Sequence, residues 1–202
     1  MQQRAHPVTA KVPRVRLVRQ GSIHRRGEVI VDASASITLV EASGKRIIVD
    51  TGSPAECDRL LTDLKAMAVE PKEVDIIVNT HLHIDHCGCN EMFENAVVYA
   101  HQLESPPIGN VRISGSVTLF PGVEIVHTPG HTPGSVTVFV KAEKRYGICG
   151  DAIPTKANYD SHVPPFIAFE KGLATKSMDA IIASADLIIP GHDGPFEVQR
   201  KK

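Results

Sequence analysis

The run Thr80-His81-Leu82-His83-Ile84-Asp85-His86 gathers three imidazoles and a carboxylate into one short stretch. Neutral imidazole nitrogens bind borderline metals such as zinc, and a neighbouring carboxylate can complete such a site or hold a nucleophile beside it. In extended backbone alternate side chains point the same way, so His81 and His83 can converge on one ion. Asp85 and His86 fall where the chain turns and are free to face a second ion. Upstream, Val74-Asp75-Ile76-Ile77-Val78 reads as a buried strand, which puts the cluster at a sheet edge.

Further ligand-type residues stand wherever a strand pattern runs into glycine. His131 sits in the turn-rich loop His127-Thr128-Pro129-Gly130-His131-Thr132-Pro133-Gly134-Ser135, between strands near 123–127 and 136–140. Asp151 follows the strand Arg145-Tyr146-Gly147-Ile148-Cys149, and His192 follows the buried strand Asp186-Leu187-Ile188-Ile189. A binuclear hydrolytic site needs imidazoles and one carboxylate able to bridge two ions about 3.5–4 Å apart. His81, His83 and His131 could hold the first ion, Asp85, His86 and His192 the second, with Asp151 bridging. Two such cations lower the pKa of a water between them and polarise the carbonyl or phosphoryl group that it attacks.

The remaining elements are those that must position these groups. Ser36–Val40 and Arg46–Asp50 read as a hairpin across Ser43-Gly44-Lys45. Ser53, Pro54 and Glu56 make a helix start with a capping box, and Cys57, Leu60, Leu61, Leu64 and Met67 repeat at helical spacing as a core-facing stripe. A brief helix near 90–94, a strand over 96–100, a long loop over 102–116, a strand near 117–120 and an irregular cover over 152–165 follow. Ala174, Met178, Ile181, Ile182 and Ala185 mark a last amphipathic helix.

With these residues in place, the chain resembles the metallo-β-lactamase superfamily. The signature H-x-H-x-D-H matches residues 81–86 without a gap, and its following glycine and asparagine match Gly88 and Asn90. Its early aspartate, usually structural, matches Asp50, its third-motif histidine His131, its bridging aspartate Asp151 and its terminal Pro-Gly-His residues 190–192. The resemblance spans roughly residues 36–198 and is closest to the small members of the superfamily. It implies an α/β fold, the αββα four-layer sandwich, and the chain is read as a single such domain over 14–202, with residues 1–13 read from their own sequence as a flexible leader. It also implies two divalent metal ions, zinc foremost and iron or manganese otherwise, held by His81, His83, Asp85, His86, His131, Asp151 and His192. A hydroxide bridging the ions would cleave an ester-type bond, with Asp85 as the catalytic residue that holds the nucleophile and shuttles its proton.

Composition sets the wider bounds. A 202-residue chain with 42% hydrophobic residues can bury an ample core, and a net charge of −1 gives no overall basic field for RNA. The opening residues carry no apolar signal region and no apolar run is long enough to span a bilayer, so the setting is read as cytoplasmic and the four cysteines as reduced. Cys57 then belongs to the helix stripe, Cys87 and Cys89 fill a turn, and Cys149 lies in a buried strand. His6, His24, His101 and His127 read as solvated or core residues, with support of the neighbouring His131 loop as the alternative for His127, and Arg14 to Arg26 read as a solvated basic face.

The expected function is a metal-dependent hydrolase acting on a small molecule, with phosphodiester or RNA, thioester, lactone and promiscuous β-lactam substrates left open. The chain has no room for the inserted domain of the superfamily's nucleases or the helical substrate domain of its thioesterases. Ala152-Ile153-Pro154 stands where its lactonases carry a tyrosine after the bridging aspartate. The rivals are a mononuclear iron persulfide dioxygenase built on His81, His131 and Asp151, and a non-catalytic, metal-supported binding module. A homodimer is compatible with all of these. Substrate choice is expected in residues 102–116 and 152–165, where Tyr159 and His162 are candidate contacts or plain surface.

Overall fold

The structure, a computed structural model, describes residues 12–27 and 29–200. Of the leader expected over 1–13, residues 1–11 lie outside the described residues, and Pro13 is already buried. Arg14–Arg19 is strand β1, followed by the ribbon β2 (Ser22–Arg26) and β3 (Val29–Ser34), then β4 (Ile37–Ala42) and β5 (Lys45–Val49). Helix α1 (Cys57–Ala66), β6 (Ile76–Val78), the single-turn α2 (Ile84–Cys87), β7 (Val97–His101) and β8 (Val111–Ile113) complete the first half. The second half holds β9 (Val117–Phe120), β10 (Val123–His127), β11 (Val136–Lys141), β12 (Arg145–Gly150), α3 (Lys156–Ser161), α4 (Lys171–Ser184), β13 (Leu187–Pro190) and β14 (Phe196–Glu197).

Two six-stranded sheets result, in the orders β1-β4-β5-β6-β7-β8 and β14-β13-β12-β11-β10-β9, with β2-β3 as a separate ribbon. Strand alternation sorts the apolar side chains into layers. Val40, Ile47, Val49, Ile76 and Val78 of the first sheet meet Ile125, Val138, Ile148 and Ile189 of the second in the central core. The intervening residues Leu39, Ile48 and Ile77 face Leu60 and Leu64 of α1. On the far side, Phe139, Cys149 and Ile188 face Met178 and Ile181 of α4. This is the expected αββα sandwich, and each buried aliphatic side chain contributes about 1.5–3 kcal/mol to it. No helix among the described residues is long and apolar enough to cross a membrane.

Parallel pairing fixes where the strand ends fall. The pairs β5/β6 and β12/β13 are each parallel, so their C-terminal ends emerge side by side within each sheet. The two sheets are joined at that edge by backbone hydrogen bonds, Val136 N to Thr80 O at 2.8 Å and Ser36 N to Gly191 O at 2.6 Å. Segments 79–86, 128–135, 150–151 and 190–193 therefore share one rim.

Several expectations need correction. The capping box at Ser53 does not form: Ser53 makes no side-chain cap, and Glu56 instead accepts from Arg19 Nη1 at 3.4 Å and from Ser34 Oγ. Leu61 leaves the helix stripe and is exposed. The 102–116 loop contains a 3-10 turn at Gln102–Glu104 and strand β8, whose three residues Val111-Arg112-Ile113 are too short an alternation to stand out between the turn residues on either side. The cover over 152–165 contains α3, capped by Thr155 Oγ1 on Asn158 N.

The cysteines are not all reduced: Cys57 and Cys89 form a disulfide with Cα atoms 5.6 Å apart, whereas Cys87 and Cys149 are free. Composition speaks to compartment, not to proximity. The start of α1 packs onto the turn after α2, where Gly88 N donates to Gly52 O at 2.8 Å, and this contact brings the two thiols within bonding range. Thiol titration of the denatured chain should therefore find two reactive groups without reductant and four after reduction. Four groups in both conditions would contradict the bridge. Reduction should also cost roughly 2–4 kcal/mol of stability, measured by denaturant unfolding.

Candidate metal centre

After β6 the chain bends at Thr80 and His81 and is extended again at His83, and both imidazoles reach the rim before α2 begins. His83 accepts from His86 N at 2.9 Å through its carbonyl, closing the single turn that turns Asp85 and His86 onto the rim. The loop between β10 and β11 supplies His131. The potential ligand atoms of His81, His83 and His131 lie within 4.8 Å of one another, with His131 Nε2 3.0 Å from His83 Nδ1. His131 is oriented from behind, because its Nδ1–H donates to the Ile167 carbonyl at 2.7 Å and leaves the Nε2 lone pair facing its neighbours.

A second group forms from Asp85, His86 and His192, and a third, overlapping one from His81, His86 and Asp151, each within the same 4.8 Å. His192 donates Nδ1–H to the Ser34 carbonyl at 2.9 Å, and His86 donates Nδ1–H to Asp50 Oδ2 at 2.8 Å. Both rings thus present Nε2 inward. Asp151 stands between the groups: Oδ2 is 3.4 Å from His131 Nε2, while Oδ1 is 3.1 Å from His192 Nε2 and 3.4 Å from His86 Nε2. The residue before His192 has to be glycine, since a Cβ on Gly191 would lie 2.1 Å from Asp151 Oδ1.

Asp50 carries more of the site than a generic structural residue would. It is buried, adopts a left-handed φ of 56° at the end of β5, and accepts from Thr80 N and Thr80 Oγ1, both at 2.7 Å, besides His86. Behind it, Asn90 Oδ1 accepts from Thr51 Oγ1 at 2.8 Å, and Asn90 Nδ2 donates to Asn79 Oδ1 at 2.8 Å. These contacts give Asp50 and Asn90 the task of shaping the turn that displays the histidines.

Electrostatics divides the imidazoles. Burial drives His81 well below the ordinary histidine value, helped by the nearby His86, His131 and His83 and opposed by Asp151. Burial also depresses His83, with His131 next in effect. Burial pushes the same way at His86 and His192, but Asp50 and Asp151 together outweigh it at His86, and Asp151 does so at His192, so both are raised. Burial would raise Asp151, yet His192 and His86 hold its carboxyl well below the carboxylate range.

The donor set fits divalent cations. His81 Nε2, His86 Nε2 and Asp151 Oδ1 are buried without a hydrogen-bond partner, a costly arrangement that a bound cation would relieve. All seven residues expected to surround the ions converge here.

A cavity of about 600 Å³ opens directly over the cluster, with His83, Asp85, His131, Asp151 and His192 in its floor. Its walls are not the segments expected to govern substrate choice. Ile23, Ile30 and Val31 come from the β2-β3 ribbon, Ile84 from α2, and Phe166 and Ile167 from the approach to α4. The stretch 102–116 supplies none of the lining, and 152–165 only Pro154 and Pro165. Tyr159 packs on Phe196 with ring centroids 4.8 Å apart and accepts from Gln199 N, and exposed His162 lies 3.2 Å from Asp179; neither lines the cavity. Arg25 of the basic face stands over the Phe166 ring at 5.4 Å and reaches the cavity mouth. His127, read as a solvated or core residue, instead donates Nε2–H to the Pro133 carbonyl at 2.9 Å within the loop that carries His131.

Asp50→Asn isolates the buried charge, because asparagine tolerates the left-handed backbone. Its amide would face a donor where the carboxylate accepts. Metal-free protein should lose about 2–4 kcal/mol in denaturant unfolding, and a change within the roughly 0.5 kcal/mol of a surface substitution would contradict the role assigned to Asp50.

Comparison with known proteins agrees with this geometry. The sequence profile of the metallo-beta-lactamase superfamily matches residues 31–110. The probable metallo-hydrolase MJ0296 of Methanocaldococcus jannaschii is 34% identical over 182 residues, covering 89% of this chain and 87% of its own. An N-acyl homoserine lactonase of a Bacillus species is 28% identical over 208 residues, covering 81% and 83%. A solved quorum-quenching N-acyl homoserine lactone lactonase superposes with a TM-score of 0.73 at 25% identity, covering 92% of this chain and 93% of the other. The histidine and aspartate rim, the four-layer sandwich and the likeness to a metallo-hydrolase over most of both chains converge: the chain belongs to the metallo-β-lactamase superfamily and is a metal-dependent hydrolase.

Proposed function

We propose that the enzyme works with two divalent cations, zinc foremost, and cleaves a carbonyl ester-type bond, a lactone or thioester, in a small molecule with an apolar portion. One observation carries the two-ion reading: the Asp151 carboxylate faces the His131 side with Oδ2 and the His86 and His192 side with Oδ1. A carboxylate placed so is suited to bridge. His81, His83 and His131 are then the ligands on one side, and Asp85, His86 and His192 those on the other.

When bound, such cations supply Lewis acidity toward the scissile group and lower the pKa of water near it. The chain supplies the rest. Half-buried Asp85 lies 3.7 Å from His192 Nε2 and lines the cavity floor, where its carboxylate can take the proton of the attacking water and return it to the leaving group. Ile23, Ile30, Val31, Phe166 and Ile167 offer the substrate an apolar wall that keeps water away from the reacting group. That wall suits an acyl-bearing molecule better than a polyanionic RNA strand. Ala152 and Ile153 are buried and provide no hydroxyl at the position where the superfamily's lactonases are expected to have one, so any stabilisation of the developing oxyanion has to come from elsewhere in the site. The iron dioxygenase alternative leaves Asp85, His86 and His192 without a task.

Elemental analysis of the purified protein, with a panel of thioester, lactone, β-lactam, phosphodiester and RNA substrates, tests this. Two zinc ions per chain and hydrolysis of a thioester or lactone are expected, with kcat falling at least about 10³-fold in Asp151→Ala. One iron per chain with oxygen uptake on glutathione persulfide would sink the proposal.

Protons and cations should also compete for His86 and His192. Both rings titrate above the ordinary histidine value in the metal-free chain, so below that range they are protonated and closed to metal. Zinc affinity should climb as pH rises through their titration and level off above it, with proton release measurable by calorimetry in buffers of different ionisation enthalpy. An affinity flat across about pH 5–9 would contradict this.

A further inference from the structure

Outside the cluster, the carboxylate of Glu104 occupies an unusual position. It ends the 3-10 turn Gln102–Glu104 that follows β7, and it is half-buried. Its Oε2 accepts from Leu82 N at 3.0 Å, and its Oε1 accepts from Gly134 N at 2.9 Å. Leu82 is the residue between His81 and His83, and Gly134 lies in the loop that carries His131. One side chain thus spans two segments that meet only at the rim. No ion pair to Glu104 is present among the described residues, so both oxygens serve backbone amides, not a surface cation.

The contact is built for closeness. A Cβ on Gly134 would lie 2.6 Å from Glu104 Oε1 and 2.7 Å from its Cγ, so only a residue without a side chain lets the carboxylate reach both amides. The turn that aims Glu104 is itself held, since His101 Nδ1 accepts from Leu103 N at 3.3 Å. His101 stacks on His127 with ring centroids 4.0 Å apart, and His127 holds the Pro133 carbonyl, next to Gly134. A carboxylate accepting two backbone N–H groups makes charge-assisted bonds, stronger than neutral ones.

We propose that Glu104 is a positioning residue that clamps the His81–His83 strand end to the His131 loop, so that the three imidazoles converge before any cation arrives. It touches neither substrate nor reacting atoms. The proposal rests on the reading of these three histidines as ligands of one ion. By fixing the two loops in advance, the clamp spares the site the ordering that binding would otherwise demand, an effect worth about 10–100-fold in metal affinity for comparable supporting groups.

The test uses the full chain and the variants E104Q, E104A and G134A. In metal-free protein, amide hydrogen exchange at Leu82 and Gly134 should accelerate at least about tenfold in E104A and less in E104Q, which keeps one acceptor. In zinc titration against a chelator, one of two binding steps should weaken about 10–100-fold in E104A, with the other unchanged. G134A should reproduce both effects by displacing the same carboxylate, and the double variant should be no worse than either single one. Native exchange at both amides in E104A, or fast exchange with unaltered zinc affinity, would overturn the clamp. If the unaltered chain takes up no zinc, it is the two-ion reading that falls, while the exchange data on metal-free protein still decide whether Glu104 joins the loops.

Discussion

The site depends on one buried carboxylate that is not itself in the cavity. Asp50 ends β5 in a left-handed conformation and accepts three hydrogen bonds, two from Thr80 and one from His86 Nδ1. An ionised side chain so deeply buried is tolerable only when fully partnered. The consequence runs outward: Thr80 is fixed, the bend that leads on to His83 is fixed, and the single turn of α2 can only present His86 with Nε2 inward. Gly150 reinforces the arrangement from the second sheet, where its missing side chain leaves room for Thr80 Oγ1, which a Cβ would meet at 2.3 Å. The two halves of the sandwich are thus registered to one another at the rim where the histidines gather.

From that constraint follows the electrostatic contrast within the cluster. His81 and His86 are equally enclosed, yet they titrate in opposite directions because only His86 has carboxylates at contact distance. Asp151 is pulled down by the same two rings that it raises, His86 and His192. Three buried polar atoms nevertheless have no hydrogen-bond partner. A folded chain that leaves such atoms unpartnered while spending its other polar groups on orienting them is arranged for a cation. The apolar side chains over this floor place a hydrophobic surface beside a charged one, and a substrate seated between them would strengthen electrostatics at the reacting centre by excluding water.

Much of this was legible in the sequence, for a physical reason. Parallel strands rich in isoleucine and valine announce themselves as apolar runs, and ligand residues at their ends follow glycine and proline turns; Ile76–Val78, Leu187–Pro190 and the histidines beyond them are readable as such. What escaped depends on contacts between distant segments. The β2-β3 ribbon is mostly exposed and lacks apolar alternation, so nothing marks Ile23 or Val31 as cavity wall until the fold brings them there. Cys57 and Cys89 are separated by 32 positions, and only the packing of α1 on the turn after α2 makes them neighbours. Glu56 reads as a capping residue because local pattern cannot foresee Arg19 and Ser34 arriving from other strands. Glu104 reads as a loop residue because a carboxylate gives no sign of which amides it will meet.

In the proposed two-ion reading, Asp151 would stand between two cations, one held with His81, His83 and His131 and the other with Asp85, His86 and His192. Crystals of the zinc-loaded enzyme, measured on both sides of the zinc absorption edge, address it most directly. The account predicts two anomalous peaks about 3.5–4 Å apart, one on each side of the Asp151 carboxylate. A single peak at saturating zinc, or a second one remote from Asp151, would contradict it.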